Sequence, residues 1–362
     1  MGCIRAFAET DIPQVARLHT AVFRPRERRV RAGQDAHHAY FRSVFLDNPW
    51  RDPDLTSLVC EEADGRISGF LGVVPRRMSM RGQQLQAAIS AQFIIAPDSR
   101  NPLAAVQLAR TFLDGPQDLS ITDEANDVAR KIWEGLGGTT ALLQSIHWTR
   151  PLRPARFALS FARSRRAIAP LAALAGPPSR IVDALATRVP CSHFFQARPP
   201  VLADAMRVDT VLACVPEYAG ASLRVEYDHR AFCWLLERAA RRRPDAVLHT
   251  LLIRNQEMSV IGWYLYSLAR GGVADVLQIA SKPCAIDLVL DHLFYGAWRQ
   301  GATAVTGRIE LRFLQALSDK YCRFHRRGPW VLVSSKKREV VHAFAVGDVF
   351  FSRFDGEWCL GF

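Results

Sequence analysis

The spacing of hydrophobic positions changes several times within the first 150 residues. Apolar residues follow helical spacing over 12–23, after the capping residues 9–11. From Leu55 the period is that of strands, and helical spacing returns on either side of residues 118–122. The predicted elements are a strand at 3–7, helices at 12–23 and 36–46, strands at 55–61, 67–80 and 85–96, a helix at 103–113, a strand at 118–122, a helix at 125–138 and a strand at 141–148. This order predicts an α/β domain with a mixed sheet.

A similar order of elements returns later in the chain. Residues 151–200 are basic and rich in proline and alanine, which predicts a linker with one or two short amphipathic helices. Beyond it, the predicted elements are a helix at 231–241, strands at 247–254, 258–269 and 274–279, a helix at 286–300, a strand at 304–309 and further strands within 331–362. The chain is therefore divided into an N-terminal lobe at 1–150, the linker, and a diverged C-terminal lobe at 201–362.

Composition supports two folded bodies with local positive charge. The chain of 362 residues is longer than one domain with a single core usually is, and 49% of its residues are hydrophobic. Of the net charge of +12, eight arginines against Asp183 give +7 between Thr149 and Pro190, and five arginines against Glu27 give +4 over 24–31. Charge confined to two segments favours local anionic partners, such as a phosphorylated cofactor, an anionic lipid surface or RNA.

Cysteine spacing and hydropathy exclude several classes. The eight cysteines contain no C-x-x-C and do not pair with histidines at metal-ligand spacing, so we expect neither a metal site nor a disulfide framework. The longest apolar run without charge, residues 167–175, is about half of what spans a bilayer. Residues 1–5 show no signal-peptide pattern. We expect a cytoplasmic protein, with association at a membrane surface left open by the basic segment.

Three stretches carry a resemblance to a known family. They are "IRAFAETDIPQVARLH" at the start, "AQFIIAPDSRNPLAA" at the end of the third long strand, and "ANDVARKIWEGLGG" between two strands. Through Asn126, Ala129, Trp133 and Gly137 the last is similar to the Asn-x-x-Ala-x-x-x-aromatic-x-x-x-Gly helix of the GNAT acyltransferase superfamily. The resemblance implies an α/β fold of two GNAT-like lobes, each a mixed, mostly antiparallel sheet flanked by helices, with a degenerate second lobe.

The resemblance also implies a reaction and a binding site. Acetyl-CoA or another acyl-CoA would donate its acyl group directly to an amine or hydroxyl. The pyrophosphate would bind amides at a helix N-terminus, and a backbone N–H of a splayed strand would face the thioester carbonyl. The residues that the resemblance assigns to the acyl-CoA are Phe93, Ile94, Ile95, Arg100, Asn101, Leu103, Ala104, Ala105, Asn126, Ala129 and Trp133.

The sequence departs from the family at two points. Both glycines of the phosphate loop are absent, and Pro102 removes one amide donor. Trp133 stands where the family has the tyrosine that protonates the departing thiolate, and an indole N–H donates a hydrogen bond without giving up its proton. Asp123 and Glu124 are candidates for the general base, and with Trp133 in the place of the acid the catalytic candidates are Asp123, Glu124 and Trp133.

Each candidate also has a structural interpretation. Asn126 is a good helix N-cap, and the carboxylates after residue 122 suit a solvated turn. Ser90 and Gln92 on the preceding strand are further general-base candidates, and His37-His38 is either a surface pair or a border of the acceptor site.

Three functions remain open from the sequence. The first is acyl transfer to a metabolite, an envelope sugar or a peptide. The second is a Fem-type aminoacyl transferase that uses transfer RNA, whose backbone the basic segment would contact. The third is a GNAT-like binding protein that has lost catalysis, which would explain the missing glycines and tyrosine.

Overall fold

The computed structural model describes residues 2–23, 32–164, 176–190 and 192–362. The arginine-rich segment 24–31 and residues 165–175 of the basic segment lie outside the described residues. The chain divides into two compact units. Unit 1 comprises Met1–Ser145, Ala221–Arg238 and Gly328–Phe362, and unit 2 comprises Ile146–Gly220 and Ala239–Arg327.

Sixteen strands and twelve α-helices are described. The strands are β1 (Cys3–Ala6), β2 (Leu58–Glu61), β3 (Ile67–Met80), β4 (Gln83–Ile95), β5 (Leu119–Ala125), β6 (Thr139–Thr140), β7 (His147–Pro151), β8 (Leu202–Ala205), β9 (Leu223–Val225), β10 (Ala246–Arg254), β11 (Val260–Ala269), β12 (Val273–Ser281), β13 (Ala304–Arg308), β14 (Arg323–His325), β15 (Trp330–Ser334) and β16 (Val349–Phe350). The helices are α1 (Ile12–Phe23), α2 (Ala32–Phe41), α3 (Ala104–Leu113), α4 (Asp127–Gly135), α5 (Pro154–Ser164), α6 (Gly176–Ala186), α7 (Val208–Tyr218), α8 (His229–Arg241), α9 (Ile286–Arg299), α10 (Leu314–Asp319), α11 (Arg338–Val346) and α12 (Glu357–Leu360).

Unit 1 is built on a mixed, mostly antiparallel sheet with the order β1-β2-β3-β4-β5-β15-β6. In this row only β4 and β5 run parallel, and β9 adds to the far end of β3 and pairs in turn with β16. Helices α3 and α4 cover one face through a buried cluster that includes Leu71, Val73, Ala88, Leu108 and Trp133. The predicted fold class is confirmed for this unit.

Unit 2 repeats the architecture. Its sheet has the order β14-β7-β13-β12-β11-β10-β8, and only β12 and β13 run parallel. The triplet β11-β12-β13 therefore matches β3-β4-β5, and a register irregularity interrupts the antiparallel pair in both triplets. Helix α9 buries Val289, Leu293 and Phe294 in the core of this unit. The predicted repeat of architecture is present although the sequences differ.

The strand next to the parallel pair comes from the other half of the chain in each unit. In unit 1, β5 pairs with β15, which follows most of unit 2 in sequence. In unit 2, β13 pairs with β7, which follows β6 of unit 1 in sequence. Residues 328–362 consequently belong to unit 1 and residues 151–200 to unit 2, whereas the sequence placed them in a C-terminal lobe and a linker.

One predicted strand was wrong. Residues 141–148 contain a short 3-10 turn, Leu143–Ser145, before β7 begins at His147. The amide of Ala141 donates to the carbonyl of Val331, and the hydroxyl of Ser145 accepts from the amide of the same residue. These bonds hold the chain in a turn where it leaves unit 1, so the apolar run cannot extend as one strand.

Candidate active site

The parallel strands β4 and β5 separate towards their C-terminal ends. Their pairing runs from Ala87–Leu119 to Ile89–Ile121 and ends there, although β4 continues to Ile95 and β5 to Ala125. The backbone of β4 changes course just beyond the last pair, because Gln92 has a φ of 55° in the left-handed region. A bulge at this residue turns one strand away from the other.

Glu357 lies in the gap between the two strands. One oxygen of its carboxylate accepts from the amide of Gln92 at 2.9 Å, and the other accepts from the hydroxyl of Thr122 at 3.2 Å. The amide of Glu357 donates to a carboxylate oxygen of Asp123 at 2.6 Å. The first residue of α12 therefore joins β4 to β5 where the strands no longer join each other.

Gly356 allows this approach. A Cβ built on Gly356 would stand 2.1 Å from Oδ2 of Asp123, which is far inside van der Waals contact. Since Asp123 is 2% exposed on a central strand, its carboxylate cannot easily move aside. A glycine is needed for the backbone of α12 to reach β5.

Burial and negative neighbours hold a proton on Glu357. The pKa of Glu357 is raised to about 8, because burial of its carboxylate and the charges of Asp123 and Glu124 on β5 together outweigh the hydrogen bonds from Gln92 and Thr122. The residue nevertheless keeps part of its surface exposed. A carboxyl group whose pKa is raised to about 8 suits general-base chemistry.

A buried arginine lies under the same group of carboxylates. Arg76 on β3 is 1% exposed, stacks on the ring of Trp50 at 3.9 Å and donates to the carbonyl of Asp355 at 3.3 Å. Burial lowers the pKa of Arg76 to about 10, while the charge of Asp355 opposes that change. Burial also raises the pKa of Asp355, whose carboxylate accepts from Ser352 and Tyr227. Arg76 thus offsets part of the negative charge of Asp355 and Asp123.

Two histidines stand on the side of the gap formed by α1 and α2. His19 contacts the side-chain oxygen of Gln92 through Nε2 at 3.0 Å. His37 is 6% exposed and its ring lies 4.2 Å from that of Phe362, whereas His38 is exposed. Of the predicted histidine pair, one member is therefore buried beside the gap and only the other is at the surface.

The three catalytic candidates occupy different surroundings. Asp123 lies in the gap and bonds to the backbone of α12. Glu124 faces Arg353, with 3.4 Å between carboxylate and guanidinium. Trp133 is 1% exposed and packs in the core against Phe112, with ring centroids 5.9 Å apart. Its indole is enclosed by protein, which favours a packing role.

The residues predicted to contact the acyl group and the pantetheine arm are brought together in part. Phe93, Ile95 and Ala129 are partly buried against the same cluster as Trp133, whereas Ile94 is 1% exposed. Asn126 caps α4, because its side-chain oxygen accepts from the amide of Ala129 at 2.9 Å. The interpretation of Asn126 as an N-cap is confirmed.

The predicted phosphate loop uses most of its own amides. Arg100 donates to Glu62 at 3.1 Å, and Asn101 to the hydroxyl of Ser99 at 3.3 Å. Leu103 donates to the side chain of Asn101 at 3.0 Å, and Ala104 to the carbonyl of Asn101 at 3.2 Å. Among the assigned loop residues, Ala105 in the first turn of α3 is the one whose amide remains to meet an anion. The side chain of Arg100 is exposed, 3.6 Å from the carboxylate of Asp64.

The parallel pair that opens at a bulge, in a sheet flanked by α1 to α4, defines the fold as that of the GNAT acyltransferases. Solved structures with the same fold include the GCN5-related N-acetyltransferase from Anabaena variabilis, with a TM-score of 0.58, 13% identity, and 92% of this chain and 72% of that chain covered. A conserved protein from Enterococcus faecalis, described as a probable N-acyltransferase, has a TM-score of 0.59, 9% identity and coverages of 92% and 72%. The Saccharomyces cerevisiae N-myristoyltransferase with bound myristoyl-CoA and inhibitors has a TM-score of 0.53, 9% identity and coverages of 92% and 79%. No family model and no curated protein sequence matches the chain.

Within the described ranges, no three His, Cys, Asp or Glu side chains are grouped so that they could hold a metal ion. Over those ranges, no helix has the length and apolar character needed to cross a membrane.

Glu357 is one of the site residues that the sequence did not predict. It is separated by 265 residues from Gln92 and by 235 from Thr122. Its signal is a pair of acidic residues, Asp355 and Glu357, set among Phe351, Phe354 and Trp358. Carboxylates within such an apolar stretch must be buried with partners, or the stretch could not pack.

Proposed function

We propose that this protein transfers an acyl group from acyl-CoA to an amine or hydroxyl acceptor, with Glu357 as the general base. The observation that carries the proposal is the position of the Glu357 carboxylate between the separated ends of β4 and β5, on the amide of Gln92 and the hydroxyl of Thr122. The GNAT fold supports an acyl-CoA donor, as does the myristoyl-CoA bound to the yeast N-myristoyltransferase.

The reaction needs a base that accepts the proton of the attacking nucleophile. The acceptor nitrogen or oxygen attacks the thioester carbonyl, its proton passes to the carboxylate of Glu357, and the carbon–sulfur bond breaks as the thiolate leaves. Asp123 holds the backbone of Glu357, and Thr122 orients its carboxylate. The proton returns from Glu357 to water or to the departing thiolate, since Trp133 is enclosed in the core.

Only part of the predicted donor site suits the pyrophosphate. The N-terminus of α3 favours an anion through its dipole, but the loop before it keeps four amides for its own hydrogen bonds. The partly buried Phe93, Ile95 and Ala129 suit the apolar part of the donor. We therefore expect a larger share of the binding energy to come from the acyl and pantetheine portions.

The test is the conservative substitution Glu357→Gln. We expect kcat to fall by about 10²–10⁴-fold, the usual contribution of a positioned base. In the unchanged protein, kcat/KM should rise with pH and level off above about pH 8, where Glu357 is ionised. The assay follows free thiol release from acetyl-CoA and longer acyl-CoAs with metabolite amines, amino sugars and peptides as acceptors.

Two controls make the result specific. Glu339→Gln changes an exposed glutamate on α11 and should leave rate and pH profile unaltered. Folding of the Glu357→Gln variant is followed by thermal unfolding at pH 5 and pH 9. Because the folded-state pKa of Glu357 lies above 4.5, its charge lowers stability progressively from about pH 4.5 to pH 8, so the variant should be the more stable protein at pH 9. A folded variant with undiminished turnover would contradict the role of Glu357.

A second candidate is a protein that binds acyl-CoA without catalysis. It is favoured by the internally bonded loop amides and by the burial of Trp133. Isothermal titration with acetyl-CoA and myristoyl-CoA, and with Arg100→Ala as a variant, separates the two. Binding without turnover on any acceptor supports this second candidate, and failure to bind any acyl-CoA contradicts both.

A further inference from the structure

Helix α6 in unit 2 buries its polar side and exposes its apolar side, which is the reverse of an ordinary surface helix. Its polar residues Ser179 and Asp183 are 6% and 2% exposed. Ile181, Val182 and Leu185 on the other side are 65%, 53% and 61% exposed. A surface helix normally buries its apolar face, so this orientation requires a cause and a partner.

The cause is the contact of α6 with α5. One carboxylate oxygen of Asp183 accepts from the amide of Ala155 at 2.8 Å, and the other accepts from the guanidinium of Arg156 at 3.0 Å. The amide of Arg156 also points to Asp183, at 3.3 Å. Asp183 thus satisfies the N-terminal amides of α5, which fixes the polar side of α6 inward and its apolar side outward.

The surroundings of the apolar face are positively charged. Arg180 and Arg188 adjoin Ile181 and Val189 in sequence, and all four are exposed. Asp183, the sole acidic residue in the stretch from Thr149 to Pro190, is already bonded to Arg156. An apolar face with a basic border matches the boundary between phosphate headgroups and acyl chains.

We propose that α6 attaches unit 2 to an anionic lipid surface. Ile181, Val182 and Leu185 enter the headgroup–acyl boundary, and Arg180 and Arg188 lie against lipid phosphates. RNA is the less suitable polyanion, because three exposed aliphatic side chains would gain little from a phosphate backbone. The proposal is independent of acyl transfer.

The test is cosedimentation of the full chain with vesicles. Vesicles of phosphatidylcholine alone are compared with vesicles that contain roughly one third phosphatidylglycerol, at low and high salt. We expect binding to the anionic vesicles only, weakened by salt because headgroup attraction is screened. The double variant I181S/L185S should bind the anionic vesicles at least about tenfold more weakly, since two aliphatic side chains lose their burial.

Two further variants separate the contribution of α6 from that of other exposed apolar residues and from that of its arginines. Val247→Ser removes an equally exposed aliphatic side chain on β10, 62% exposed, and should not change binding. R180Q/R188Q should lower binding to anionic vesicles about fivefold or more at low salt. Because all of these substitutions are at exposed positions, they should leave the melting temperature unaltered. The melting temperature is measured for every variant.

Three results would overturn the proposal. The first is that the wild-type chain does not cosediment with anionic vesicles. The second is self-association in ultracentrifugation that I181S/L185S abolishes, which would make a second copy the partner of α6. The third is binding to a homopolymeric RNA that R180Q/R188Q weakens and I181S/L185S does not.

Discussion

At the scale of single residues, the packing of Gly356 on Asp123 controls whether Glu357 can reach its place. We predict that Gly356→Ala forces α12 away from β5, because the added carbon would stand 2.1 Å from Oδ2 of Asp123. Overpacking of this kind costs about 1–3 kcal/mol, and the shift should also lower kcat. Chemical unfolding and steady-state kinetics measure the two effects.

Gly135 on α4 offers the matched substitution. A Cβ there meets nothing within 4 Å, so Gly135→Ala should raise stability by roughly 0.5–1 kcal/mol through helix propensity. If Gly356→Ala were as stable and active as the original protein, the contact between α12 and β5 would not hold the site as we describe.

How far residues could be predicted depended on their distance along the chain from their partners. Asn126 was predicted as a cap because its bond to Ala129 spans three residues. Asp123 was a candidate base, and it stands beside the carboxylate that we propose for that role. Glu357 was missed because no local pattern places residue 357 against residues 92 and 122. The left-handed conformation of Gln92 is likewise invisible to a periodicity argument, since glutamine rarely adopts it.

At the scale of elements, the pairing of α5 with α6 depends on one buried carboxylate. We predict that Asp183→Ala loosens this pair, because the buried amides of Ala155 and Arg156 lose their acceptor, at a cost of about 1–3 kcal/mol. Hydrogen exchange should show faster exchange at the start of α5. Asp245→Ala, which removes a mostly exposed carboxylate near Arg243, should leave exchange unchanged. Equal exchange in both variants would mean that Asp183 does not hold the helix pair.

Element bounds followed from periodicity where the element has one strongly apolar face. The predicted helix at 12–23, the strand at 67–80 and the helix at 286–300 match the structure closely. The strand at 141–148 failed because its apolar residues serve a turn between units and then β7. The pattern along one segment shows which face is buried, but it does not show which distant strand buries it.

At the scale of the whole molecule, unit 1 needs residues from three separate parts of the chain. We predict that residues 1–150 expressed alone are insoluble or unfolded. Without β15 the edge of β5 is left unpaired, and without α12 the carboxylate of Asp123 loses its backbone donor. Size-exclusion chromatography and circular dichroism check this. Coexpression with residues 151–362 should recover soluble protein, whereas a soluble fragment with a cooperative transition would support a self-sufficient lobe at 1–150.

The exchange of strands also sets an order in time. Residues 119–125 of β5 leave the ribosome long before their neighbour β15 at 330–334 exists. At about 5–20 residues per second, roughly ten to forty seconds of synthesis separate the two strands. During that interval the edge of β5 is an open template for aggregation, and the Glu357 side chain has not been made. Any product of premature termination before residue 357 therefore lacks the carboxylate on which we propose that activity depends, so a nascent chain cannot act before residue 357 has been added.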